Sequence, residues 1–164
     1  MPIKVGDKLP NTTFRVMTSE GPKPKSADEV FKGRKVALFA VPGAFTPTCT
    51  NLHMPSFLKN IDGFKAKGVD AVAVTAVNDP FVMKEWAKQT GGEGKIDFLA
   101  DGSAEFAKAI GLELDATGGG LGIRSKRYSM LVDDGVVKQL NVEAPGKFEV
   151  SDADTLLKQA KELA

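Results

Sequence analysis

The stretch KVALFAV (35–41) is a short, unbroken apolar run rich in β-formers, and it predicts a central strand buried on both faces. VDAVAVTAV (69–77) repeats that pattern, and IDFLAD (96–101) gives a weaker third strand. RYSMLVDDGVVKQLNVE (127–143) reads as two strands about an Asp-Asp-Gly turn, an antiparallel hairpin. Helices are predicted between these runs. One follows Thr46. A second starts at Asp79 as N-cap, with Pro80 in the first helical position, and stops at Gly91-Gly92. A third, SAEFAKAIG, takes Ser103 as N-cap and Gly111 as stop, and the last starts at Ser151 and carries ADTLLKQAKEL. SEGPKPKS (19–26) and DATGGGLGIRSKR (115–127) read as surface loops. Strand–helix alternation followed by a hairpin and a final helix predicts an α/β fold, with helices on both faces of a central mixed sheet.

The 164 residues, with no internal repeat or long linker, are expected to form one domain over 1–164. Composition adds only exclusions. Lys and Arg number 22 against 21 acidic residues, with no basic stripe interleaved with aromatics, so nucleic acid is not an expected partner. No run approaches the length of a membrane span or a signal peptide, and a soluble, cytoplasmic protein is expected. No spacing of His, Cys, Asp or Glu suggests a metal site. Gly118-Gly119-Gly120 lacks the Lys-Ser/Thr that grips phosphate, so no nucleotide or other cofactor is expected, and the run is read as a flexible loop.

Cysteine usage changes the picture more. Cys49 is the sole cysteine and His53 the sole histidine. One cysteine forms no internal disulfide, which suits a reducing compartment. Pro42-Gly43 turns the chain after the first central strand, and Thr46-Pro47 is a good helix start, so Cys49 falls in the first helical turn. Unpaired N–H groups and the positive end of the helix dipole there favour thiolate over thiol. A structural cysteine needs none of this. The tetrad Thr46-Pro47-Thr48-Cys49 carries a hydroxyl where a C-x-x-C partner sulfur would stand, which excludes dithiol exchange. A cysteine hydrolase would have only His53 as base, with no recognisable acyl site. Attack on a peroxide needs a thiolate, donors for two oxygens and a cation, and RSKR (124–127) offers arginines.

At these residues a resemblance appears. VPGAFTPTC resembles the active-site signature of the peroxiredoxins, P-x-x-x-T-x-x-C, through Pro42, Thr46 and Cys49. Together with VNDPFVMKEWAK, FLADGSAEF and RSKRYSMLVDDGVV, the chain is similar to the type II (atypical, peroxiredoxin-5-like) members, from IKVGDKLP to the last helix. The resemblance implies a thioredoxin-like fold and reduction of hydrogen peroxide and alkyl hydroperoxides. It implies Cys49 as the peroxidatic cysteine, Thr46 as the hydroxyl that bonds the peroxide, Pro42 as a shield from water and Arg127 as the catalytic arginine, with Arg124 nearby. Some relatives carry a resolving cysteine, either in the strand before VND or near the C-terminus; the first position is Val74 here and no cysteine follows Cys49, so a one-cysteine enzyme is expected, recycled by glutathione and glutaredoxin or by thioredoxin. A homodimer is expected on the same ground, with Leu112, Leu121 and Ile123 as candidate contacts.

His53 is not assigned as a general base. Trp86 and Phe81 are read as core or interface residues, and Lys84, Glu85 and Lys88 as a solvated face. The rival from another class is a redox sensor or holdase in which oxidised Cys49 alters partner binding without sustained turnover.

Overall fold

A computed structural model describes residues 2–163. Its centre is the strand foreseen at 35–41, β3 (Lys35–Ala40), where Val36, Leu38 and Ala40 enter one apolar cluster and Ala37 and Phe39 the other. Burial on both faces explains why this segment reads as a continuous apolar run. β4 (Ala71–Ala76) and β5 (Asp97–Ala100) follow in parallel, and the hairpin β8 (Tyr128–Asp133) and β9 (Val136–Val142) closes the side antiparallel to β3. Asp134 and Gly135 turn the hairpin at φ 50° and 78°. Two positive φ values suit the twist of a tight hairpin.

Two strands that the sequence reading left out complete the other edge. β1 (Thr13–Thr18) pairs with β2 (Gly21–Ser26), giving a seven-stranded sheet of order β2-β1-β5-β4-β3-β8-β9. β2 is the segment expected to be a loop. Pro22 and Pro24 stand two residues apart, so the missing N–H groups fall on the same side of an edge strand, where no ladder bond is lost. The Gly-rich segment is also a correction: β6 (Glu113–Ala116) and β7 (Gly122–Ser125) form a separate two-stranded ribbon, joined by a 3-10 turn at Thr117–Gly119. It is ordered pairing, not a flexible loop.

Helices cover both faces. α1 (Ala27–Phe31) and α5 (Glu105–Ala109) pack with Phe14 and Tyr128 on one side. α2 (Met54–Leu58), α3 (Ile61–Ala66), α4 (Pro80–Thr90) and α6 (Ala153–Leu163) pack on the other, about Phe39, Phe57, Phe64 and Trp86. α4 is capped as foreseen, by the Asp79 carboxylate on Val82 N at 2.8 Å, and stopped by Gly91 at φ 77°. Trp86 lies in the core while Phe81 on the same helix is exposed. Among the described residues no helix is long and apolar enough to cross a membrane.

One expected cap and one expected helix start differ. α5 is preceded by Ala104 at φ 58°, and the buried Asp101, not Ser103, accepts the N–H groups of Phe106 at 3.0 Å and Ala107 at 2.9 Å. α6 takes its cap from Asp152, which accepts Thr155 N at 3.1 Å, while Ser151 is buried and engaged elsewhere. Leu112, foreseen as a dimer contact, is 2% exposed and part of the core.

Removing the Asp101 carboxylate strands two buried donors, so Asp101→Ala is expected to lower stability by about 1–3 kcal/mol. Urea unfolding at neutral pH measures the loss.

Candidate active site

β3 ends beneath Pro42-Gly43, and the chain there is packed closely enough that a side chain at 43 would press on its neighbours. A Cβ on Gly43 would stand 3.1 Å from Thr46 Cγ2 and 3.2 Å from Arg124 Nη1. Phe45 adopts φ 70°, a conformation costly for a bulky residue and held here by the neighbouring Ala44 N donating to Asn78 Oδ1 at 3.0 Å. The helix then begins at Pro47, as the sequence predicts. Thr46 is its boundary residue, but the hydroxyl does not cap it. Oγ1 donates to Gly43 O at 2.6 Å, while Thr46 O accepts Thr50 N at 3.0 Å.

From Cys49 to His53 the helix widens into a π turn, with Met54 N bonded to Cys49 O. The wider turn places both the thiol and the imidazole inward, and both are fully buried. Thr50, on the same turn, accepts from Trp86 Nε1 at 3.0 Å and so ties the turn to α4.

Arg127, at the residue before β8, extends across this turn. Its Nη2 donates to Cys49 Sγ at 3.0 Å and its Nη1 to His53 Nδ1 at 3.0 Å. His53 Nε2 donates in turn to Ser151 O at 2.9 Å. An acceptor on one side and a donor on the other leave one tautomer, the neutral ring with its proton on Nε2. The ring is enclosed by Phe39, Phe57 and Phe148, with centroids 4.9, 5.6 and 4.9 Å away. Burial, reinforced by the Arg127 charge, brings its pKa from 6.5 down to about 3.

Arg124 does not reach the sulfur by any hydrogen bond. Its Nε donates to Leu121 O at 3.0 Å, and Nη1 lies 3.5 Å from Pro42 O and from Val77 O. It fastens the β6–β7 ribbon to the Pro42 turn. Beside the buried thiol opens a cleft of about 150 Å³, lined by Pro42, Thr48, Leu114, Lys126, Arg127 and the segment 143–147. Of the four residues singled out in sequence, Cys49 and Arg127 are in contact, and Thr46 and Pro42 flank them in the turn. Sequence reasoning left His53 unassigned and missed Ser151 and Glu143, which sit behind Arg127.

A lone thiol thus faces an arginine at the end of the central sheet. The Redoxin family model matches residues 4–157. Peroxiredoxin-2C of Oryza sativa subsp. japonica is 46% identical over 158 residues, covering 96% of this chain and 98% of that one. The chain belongs to the peroxiredoxins. Among solved structures, reduced Prx3 from Vibrio vulnificus in complex with hydrogen peroxide shares 51% identity at a TM-score of 0.92, covering 96% of this chain and 99% of that one. Peroxiredoxin 5 from Alvinella pompejana shares 39% at a TM-score of 0.86, covering 98% and 99%. The peroxiredoxin relationship makes this α/β architecture the thioredoxin-like fold, and the chain a thiol peroxidase of antioxidant function, with a peroxide as substrate and a thiol as reductant.

His53 is the only imidazole in this peroxiredoxin, so comparison with a His53→Asn variant isolates its titration from that of the buried carboxyls. With the folded pKa near 3 and the unfolded one near 6.5, the unfolded state binds more protons between those values. Stability is therefore full above pH 6.5 and falls with acidification, by up to about 1.4 kcal/mol per pH unit. Denaturant melts at pH 7, 6 and 5 should show that slope, and His53→Asn should flatten it.

Proposed function

We propose that the chain is a one-cysteine, type II peroxiredoxin whose Cys49 thiolate reduces hydrogen peroxide and alkyl hydroperoxides. The observation that carries this reading is the 3.0 Å contact from Arg127 Nη2 to Cys49 Sγ. A guanidinium keeps its proton at any physiological pH, so an ionised sulfur here faces a full positive charge in a site closed to water.

In the proposed reaction a sulfur lone pair attacks the terminal oxygen of R–O–O–H. The S–O bond forms as the O–O bond breaks, leaving a Cys49 sulfenic acid, and the displaced electron pair goes to R–O⁻, which takes a proton from water. Arg127 and the backbone N–H groups of the first helical turn stabilise charge on the leaving oxygen. The Thr46 proton is committed to Gly43 O, so its hydroxyl oxygen is offered as an acceptor for the peroxide O–H. Pro42 shields the sulfur from water. An external thiol then attacks the sulfenic sulfur, water leaves, and a second thiol frees Cys49 from the mixed disulfide. With no second cysteine in the chain, glutathione with glutaredoxin is the reductant we favour, and thioredoxin the other. A cytoplasmic location belongs to the same reading.

Cys49→Ser should abolish peroxide consumption, whereas Arg127→Gln should keep the fold and slow oxidation by about 100-fold or more. Stopped-flow oxidation by hydrogen peroxide measures both. Turnover retained in Cys49→Ser refutes the scheme, and an unaltered rate in Arg127→Gln moves the role from that residue.

We further propose a homodimer through the apolar rim of the site. Phe45, Phe81 and Leu121 are 48%, 65% and 48% exposed. They lie on three segments that Asn78 and Arg124 fasten together. Sedimentation velocity is expected to give twice the chain mass, and Phe81→Lys with Leu121→Lys to shift it toward one; a monomeric wild type contradicts the proposal.

A further inference from the structure

Glu143 follows directly on β9 and is 7% exposed. Among the described residues no cation pairs with its carboxylate. Oε2 instead accepts four neutral donors: Glu149 N at 2.9 Å, Val150 N at 2.8 Å, and Ser151 N and Ser151 Oγ at 2.7 Å each. Oε1 accepts Glu149 N at 3.0 Å. These bonds hold the carboxyl below its ordinary range against the opposing effect of burial.

An ionised side chain with so many backbone donors fixes the segment it grips, here the strap 144–151. The strap brings two groups to His53: the Phe148 ring, tilted by 52° with its centroid 4.9 Å away, and the Ser151 carbonyl onto Nε2. His53 in turn accepts from Arg127. The connection then closes on itself, because Glu143 N donates to Arg127 O at 3.0 Å. The ring runs from Glu143 to Ser151, His53, the Arg127 guanidinium, the Arg127 backbone and back to Glu143. Both ends of the arginine are thus referred to one glutamate.

We propose that Glu143 is a positioning residue whose carboxylate, acting through Ser151 and His53, holds the Arg127 guanidinium against the Cys49 sulfur. The proposal rests on the peroxidase reading above. Glu143 itself touches neither the sulfur nor, in the proposed reaction, the peroxide. Loss of the carboxylate frees the strap, removes the acceptor on His53 Nε2 and lets the imidazole turn, so the guanidinium loses one of its two fixed bonds. A misplaced charge-stabilising donor slows chemistry without needing the fold to fail.

The test is a double-mutant cycle on the second-order rate constant for hydrogen peroxide. Glu143→Ala is expected to lower that constant about 10-fold or more, and to change it less than about twofold when His53 is already Asn. Alkylation of Cys49 by iodoacetamide, which has no O–O bond to orient, is not expected to fall in parallel. Equal losses in the two backgrounds overturn the proposal, as does a folded Glu143→Ala protein with an unaltered peroxide rate. If Glu143→Ala does not fold, Glu143→Gln, which keeps an acceptor for Ser151, carries the same cycle, with an expected loss of about threefold that again vanishes beside His53→Asn. A Cys49→Ser protein that still consumes peroxide sinks the peroxidase reading itself; additive losses in an enzyme that needs Cys49 sink only this inference.

Discussion

One contact organises the site: a guanidinium held 3.0 Å from a sulfur that has no exposure to water. Arginine cannot discharge itself as a buried lysine can, so its charge persists where the surroundings screen it least. What matters next is the identity of the second partner. Had a carboxylate taken the place of His53, much of the positive charge would be neutralised by an ion pair. The neutral imidazole accepts one N–H and orients the fork while leaving its charge for the sulfur. That neutrality is built by burial among the rings of Phe39, Phe57 and Phe148, reinforced by the Arg127 charge, while the Ser151 carbonyl fixes the tautomer.

How much of this the sequence shows depends on the range of each interaction. β3, β4 and the β8–β9 hairpin are legible because a strand buried on both faces, or a tight turn between two strands, writes its pattern locally. α4 is legible because Asp79, Pro80 and Gly91 act within a few residues of the backbone groups they satisfy. β2 is hidden because prolines and lysines serve an exposed edge as well as they serve a loop. Ser103 has the right residue type for a cap, but Asp101 reaches two donors five and six residues on, outside the usual capping distance. The Gly-rich ribbon pairs strands of four residues, too few to show a period.

The site divides in the same way. Pro42, Thr46 and Cys49 share one short segment, and their signature is visible in it. Resemblance supplies Arg127, which lies 78 residues from Cys49. Nothing in the sequence marks the hydrogen bond from His53 to Ser151, since it spans 98 residues and ends on a backbone carbonyl that any residue type would carry. Ser151 reads locally as the start of the last helix, two residues before ADTLL. Its burial against Glu143 depends on the path of the strap, which neither periodicity nor capping chemistry encodes.

The burial of Cys49 also separates the two halves of the proposed cycle. A hydroperoxide presents its terminal oxygen on a slender O–O–H group, which needs little room beside Pro42 and Arg127. A reducing thiol brings a much larger molecule and must meet the sulfur in line with the S–O bond it breaks. Cys49 stands in the π turn, so that approach runs past the turn. The turn holds Cys49 inward through the Met54–Cys49 backbone bond, and one inserted residue per turn is a local irregularity that an ordinary α-helical path would not contain. Trp86 ties the turn to α4 through Thr50, and Arg127, the residue before β8, keeps its charge against the sulfur.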